Sequence, residues 1–143
     1  MIVVDTTILV LAVGSQHALR EPSRRLIEAI GSGIVAATTT PEVVQEFAHV
    51  RARRYDRSDA VRLARRYATL LSPLLVVDGD MLEGGLRLFE QHRALGAFDA
   101  VLAFAAMASG SEALVSADTD FQAVRDLRVI EPAGVEFDRL VAD

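Results

Sequence analysis

Residues 114–121 read LVSADTDF. Leu114 and Val115 have the character of a buried strand's tail, so Ser116, Asp118 and Asp120 fall where a strand gives way to a loop. Two explanations compete for those polar residues. Asp and Ser favour turns because their side chains hydrogen-bond nearby backbone. Carboxylates gathered at a strand end also hold metal ions, and the rest of the chain weighs between the two.

Outward from this stretch the sequence alternates. MIVVD opens the chain as a short strand, and TILVLAV continues apolar into a turn at Gly14-Ser15. A helix is expected from about Glu21 to Ile30, stopped by Gly31-Ser32-Gly33. IVAAT reads as a second buried strand. Thr40 then suits a helix cap and Pro41 the first helical position, and Val43, Val44, Phe47 and Val50 form a helical stripe. A further helix runs from about Ser58 to Leu71, LLVVD reads as a third strand, and a helix follows from about Asp80 to Arg93. GAFDAVLAFAAMASG is a helix too apolar to be anything but buried, closed by Gly110. EALVS and RVIE supply the fourth and fifth strands. Strands alternating with helices predict an α/β fold, a central parallel sheet of about five strands flanked by helices on both faces.

Composition narrows the chemistry. A chain of 143 residues is read as one domain, able to bury roughly two thirds of its unfolded surface. The apolar runs Ile8–Val13 and Ala100–Ala108 are shorter than the ~18 residues of a spanning helix, so no membrane is expected. With no basic leader before MIVVD, a cytoplasmic protein is the expectation. There is no cysteine, hence no disulfide framework, thiolate metal site or cysteine nucleophile. All 15 basic residues are arginine, which excludes Schiff-base chemistry and a P-loop lysine. The net charge of -5 argues against a general nucleic-acid-coating protein but leaves local patches open.

In an open parallel sheet, ligands bind beyond the carboxyl ends of the strands, and there the acids collect. Asp5 ends the first strand, and Asp118 and Asp120 follow the fourth. Asp99 stands in the first turn of the buried helix, and Glu46 in the helix after the second strand, one turn beyond Glu42. Each has an ordinary role available: Asp99 as a helix N-terminal acid, Asp5, Asp118 and Asp120 as turn residues, Glu42 and Glu46 as one solvated face. Together they are harder to dismiss, because clustered carboxylates repel one another and persist where a cation compensates. An all-oxygen set selects a hard ion, Mg²⁺ or Mn²⁺ rather than zinc. His17, His49 and His92 lack metal-motif spacing.

Four stretches in this order, MIVVDTTIL, TTPEVVQEF, FDAVLAFAA and LVSADTDF, resemble a PIN-domain ribonuclease, and within that family the VapC-type toxins of bacterial toxin–antitoxin pairs. The resemblance spans residue 2 to about residue 121. It implies a PIN-like fold over residues 1–143 and an acidic quartet of Asp5, Glu46, Asp99 and Asp118. Metal would be held by Asp5, Asp99 and Asp118, with Asp120 as an accessory acid. Ser116, and Thr6 beside Asp5, would orient the carboxylates through their hydroxyls. Glu46 is preferred to Glu42 because the family places its Glu about six residues after the Ser/Thr that ends strand two, here Thr40.

The activity so implied is Mg²⁺-dependent hydrolysis of an RNA phosphodiester by water, with Mn²⁺ as a substitute ion. The protein would be the toxin neutralised by a cognate antitoxin, and a homodimer. Substrate grip is expected from RARRYDRSDAVRLARRY, residues 51–67, with seven arginines against two aspartates. Arg51, Arg54, Arg62 and Arg65 are the candidate RNA contacts, and Tyr55 and Tyr67 candidate stacking platforms; two solvated amphipathic helices, or pairing with an acidic partner, are the alternatives. Haloacid-dehalogenase-like phosphatases and phosphate-receiver domains fit poorly, since Thr7 stands where the former need a second Asp and both use a lysine. A PIN-like module that binds RNA or protein without cleaving is the competing reading.

Overall fold

The computed structural model of the chain describes residues 1–142. Its sheet has four parallel strands in the order β2-β1-β3-β4. These are β1 (Ile2–Val4), β2 (Ala37–Thr38), β3 (Leu114–Val115) and β4 (Val129–Ile130). β1 lies in the middle, paired through Val3 with Thr38 on one side and Leu114 on the other. Ile2, Val3, Val4, Leu114 and Val115 are all buried, as expected of short strands covered on both faces. Chain order reverses at β1, so the carboxyl ends of β1 and β3 flank the crevice where α/β sheets bind ligands.

Seven α-helices surround this sheet among the described residues: α1 (Thr6–Val13), α2 (Arg20–Gly31), α3 (Pro41–Arg54), α4 (Arg57–Leu70), α5 (Gly79–Gln91), α6 (Ala97–Ala108) and α7 (Val135–Leu140). None is long and apolar enough to cross a membrane. Thr40 caps α3 by accepting from Val43 N at 3.2 Å, with Pro41 at the first position. α3 and α4 form an antiparallel pair in which the Phe47 and Tyr67 rings meet edge-to-face at 4.9 Å. The Tyr67 hydroxyl donates to Leu9 O at 2.9 Å and anchors the pair to α1, so Tyr67 is buried rather than a platform for bases.

One expectation needs correction, and one apolar run left unassigned by the sequence is resolved. LLVVD is not a strand. Leu75 N donates to Thr39 O and Thr38 Oγ1 to Pro73 O, but Pro73 has no N–H to donate and Val76 is 76% exposed. The segment is a tether beside β2, and the sheet has four strands rather than about five. TILVLAV, in turn, is a helix. Asp5 accepts from Thr7 N, which starts α1 immediately after β1. Short apolar runs look alike in buried strands and buried helices, and capping made the difference.

α5 and α6 pack closely because α5 carries paired glycines at the contact. A Cβ on Gly84 would lie 2.2 Å from Phe104 Cζ, and one on Gly85 2.5 Å from Val101 Cα. The second obstacle is backbone and cannot swing aside. Gly85→Ala is therefore expected to cost about 1–3 kcal/mol, the usual range for overpacking, when unfolded in urea. Gly79→Ala, with nothing within 4 Å of the added carbon, should shift the midpoint little; equal effects at both positions would refute the packing argument.

Candidate active site

Asp5 is the best-fixed acid. It is buried and its Oδ2 accepts from Ser116 Oγ at 2.7 Å, Thr7 Oγ1 at 2.8 Å and Thr7 N at 3.4 Å. Ser116 Oγ also accepts from Asp118 N at 3.0 Å, and Thr7 Oγ1 from Ala117 N at 3.0 Å. Two hydroxyls thus splice the loop after β3 onto the start of α1. Burial pushes the Asp5 pKa up, with the Ser116 and Thr7 hydrogen bonds acting against it.

The other acids come from three more elements. Glu46, in the middle of α3, accepts from Thr6 Oγ1 at 2.7 Å through Oε2, so Thr6 orients a carboxylate forty positions away. Asp118 caps the 3₁₀ turn Thr119–Ala123 by accepting from Asp120 N at 2.9 Å, and Asp120 is exposed. Asp99 stands in the first turn of α6. The cap there is Gly96, which supplies no side-chain hydrogen bond, and Asp99 receives none from the described residues. Its pKa is raised from 3.8 to about 7, first by burial and then by the charges of Asp5, Asp118, Glu46 and Asp120. The fold therefore brings Asp5, Glu46, Asp99, Asp118 and Asp120 within electrostatic reach of one another. Glu42 is exposed on another cleft, with Val77, Leu82 and Phe98.

Among the described residues no arginine pairs with any of these five acids. Nor do any three carboxylate or imidazole groups close into an ion's coordination shell by themselves. The donor set fits a hard divalent ion of the Mg²⁺ type, which dehydrates reluctantly and binds through one or two carboxylates while keeping several waters. The all-oxygen donors and the like-charge strain on Asp99 both call for a cation.

Sequence reasoning missed Thr7, whose hydroxyl touches both Asp5 and Ala117. The signal was present: a Thr two residues beyond a strand-ending Asp lies in the first helical turn, over the cap. The expected arginine contacts divide. Arg51 Nε donates to Asp59 Oδ2 at 2.5 Å and its NH1 to Val13 O at 2.9 Å, while its guanidinium stacks 3.5 Å from the Tyr55 ring centroid. That binds α3, α4 and α1 together and leaves Arg51 little reach for a ligand. Arg62 pairs with Asp59 at 3.0 Å, whereas Arg54 and Arg65 are exposed without a carboxylate partner among the described residues.

The Asp99 shift fixes a pH dependence. A folded pKa near 7 against 3.8 means the folded chain holds this proton more tightly than the unfolded chain. Its stabilising effect is complete below pH about 4 and is lost as pH rises through about 7. In metal-chelating buffer at pH 8, Asp99→Asn should melt above the unsubstituted protein, with the gap closing towards pH 4. Loss of a favourable helix-terminus charge opposes this by only about 0.3–1 kcal/mol; a variant that melts lower at pH 8 would instead make Asp99 a helix-stabilising acid.

The sequence profile of the PIN domain matches residues 2–127. The chain is 46% identical over 147 aligned positions to Ribonuclease VapC7 of Mycobacterium tuberculosis, covering 100% of this chain and 99% of that protein. Among solved structures, Mycobacterium tuberculosis VapC20, described as a sarcin-ricin loop cleaving toxin, superposes with a TM-score of 0.74 at 20% identity over 87% of this chain and 95% of that one. VapBC2 of Rickettsia felis, bound to a DNA fragment from its promoter, gives 0.72 at 15% identity over 92% and 98%. A toxin–antitoxin complex from Klebsiella pneumoniae gives 0.68 at 18% identity over 94% and 100%. By profile, by a full-length relative and by fold, the chain belongs to the PIN-domain family and to its VapC group.

Proposed function

We propose that this protein is a metal-dependent endoribonuclease, the toxin of a toxin–antitoxin pair, hydrolysing RNA phosphodiester bonds at the acids around Asp99. The observation that carries the reading is five carboxylates brought together with no basic residue among them, so that burial and then their mutual charge raise Asp99 to about 7. A full-length relative bearing the name ribonuclease supports the reaction class, and the two toxin–antitoxin structures support an antitoxin partner.

Bound Mg²⁺, or Mn²⁺ in its place, supplies Lewis acidity at the scissile phosphate and lowers the pKa of an attacking water. The chain's part is positioning. Asp5, Asp99 and Asp118 are the proposed metal acids, with Asp120 accessory and Glu46 completing the catalytic quartet. Ser116 and Thr7 lock the Asp5 carboxylate, and Thr6 aims Glu46. With a pKa of about 7, Asp99 would be about half protonated at neutral pH and would have to lose that proton to hold a cation, so ion affinity should fall as pH drops below about 7. No serine, cysteine or histidine nucleophile is needed.

Arg54 and Arg65 are the candidates for direct phosphate contact, while Arg51 and Arg62 act through the Asp59 pair. An exposed apolar strip of Leu82, Leu86, Phe89 and Phe98 supports a homodimer. A cytoplasmic location follows from an RNA substrate and an antitoxin made in the same cell.

Purified, antitoxin-free protein incubated with total cellular RNA should give discrete products with Mg²⁺ or Mn²⁺ and none with chelator. Asp99→Asn should abolish them. RNA binding without cleavage under every metal condition would make the domain a binding module. Ser116→Ala should slow cleavage about 10–100-fold, as loss of a ligand-orienting hydrogen bond does, and lower stability by about 1–3 kcal/mol. Wild-type rates in that variant would remove Ser116 from the site.

A further inference from the structure

The acids do not stand alone at the crevice. A groove of about 600 Å³ begins at Thr7 and Ala117, beside Asp5 and Asp118, and runs along α1 past Val10, Gly14 and His17 to Arg54. There it shares Val10, Gly14, Ser15 and Arg54 with a smaller hollow of about 180 Å³ that is walled by Arg51 and Tyr55. Thr7 lies in the first turn of α1 and Gly14 caps its end, a separation of about 10 Å along the axis, so the hollow is near enough to receive a group attached next to a phosphate bound at the acids.

The far wall is built for a flat ring. One face of Tyr55 is covered by the Arg51 guanidinium, 3.5 Å from the ring centroid. Arg51 is itself held by Asp59 and Val13 O, so it fixes a tyrosine that is 53% exposed. A lone exposed aromatic needs no explanation; one backed by an immobilised cation and opening into a hollow continuous with an acidic crevice does. The hollow is smaller than the ~300–1,000 Å³ of sites for whole small molecules, which suits a single planar group. Arg54 at its rim has no carboxylate partner among the described residues.

We propose that this groove is a nucleotide subsite for single-stranded RNA, in which the base adjoining the scissile phosphate stacks on the outer face of Tyr55 and its phosphate meets Arg54. The subsite rests on the ribonuclease reading above and extends it by assigning where a neighbouring base sits. Stacking on an aromatic ring is tolerant of base identity, so Tyr55 supplies grip and register, and selectivity must come from the groove's polar lining.

The chain has two tyrosines and no tryptophan, and Tyr67 is buried against Leu9 O, so intrinsic emission that responds to a ligand reports on Tyr55. The experiment titrates the intact protein, in Ca²⁺, with a mixed-sequence single-stranded octaribonucleotide and with an abasic ribose-phosphate strand of equal length. The RNA should quench the emission and the abasic strand should not. Tyr55→Leu should weaken RNA binding about 5- to 150-fold, the range of one base–aromatic stack, and Tyr55→Phe should restore it. Arg54→Gln should weaken all sequences alike and lower the salt slope by about one. If the unsubstituted protein cleaves RNA with Mg²⁺ yet shows no quenching and no Tyr55→Leu effect, the subsite is wrong while the nuclease stands. If it neither binds nor cleaves RNA, both fall. Quenching by an oligoglutamate peptide but not by RNA would hand the hollow to an acidic protein segment and overturn the assignment.

Discussion

One carboxylate oxygen, Asp5 Oδ2, holds the two halves of the crevice together. It accepts from a serine 111 residues away and from a threonine two residues on, so the end of β1, the start of α1 and the loop after β3 converge on a single atom. A buried carboxylate without such donors would leave a costly charge in an apolar interior. With them, Asp5 is at once a helix cap, a join between adjacent parallel strands and a member of the acidic site. The strands are only two or three residues long, and side-chain hydroxyls at their ends carry register that longer ladders would otherwise provide.

Around that fixed point the other acids are arranged with less internal support, and the difference has a physical meaning. Glu46 has one hydroxyl partner and Asp118 one backbone amide, whereas Asp99 receives no hydrogen bond from the described residues, and burial together with the neighbouring carboxylates raises its pKa. Hydrogen bonds are densest at Asp5 and absent at Asp99 among the described residues. That gradation, from an Asp5 whose Oδ2 accepts three hydrogen bonds to an Asp99 that accepts none from the described residues, is what the proposed metal site would use: one acid to keep its shape and another to receive a cation.

Much of this was legible in the sequence, for reasons that can be named. Thr40-Pro41 announced α3 because cap and first-turn chemistry are local, and the apolar density of FDAVLAFAAMA announced a buried helix. Asp5, Asp99 and Asp118 stood out because a charge at the edge of an apolar run needs a reason. LLVVD misled because apolar content alone does not tell a central strand from a tether at the sheet margin; its neighbours' hydrogen bonds decide, and those lie elsewhere in the chain. α1 was hidden for the same reason. Arg51 looked like one of several equivalent arginines, since nothing local reveals that Asp59 and the carbonyl of Val13 will claim it. The short α7, built around the buried Phe137, left too brief a pattern to read.

The bare surfaces of Gly84 and Gly85 set the height at which α6 rides over α5, and Asp99 sits about half a turn from Val101, against whose backbone Gly85 packs. The position of Asp99 is thus set in part by the thinness of the neighbouring helix. A chain built this way separates two kinds of variation. Tyr55 and Arg54 can vary without touching the hydroxyls that hold Asp5, while one methyl group at Gly85 acts as a shim beneath the helix that carries Asp99.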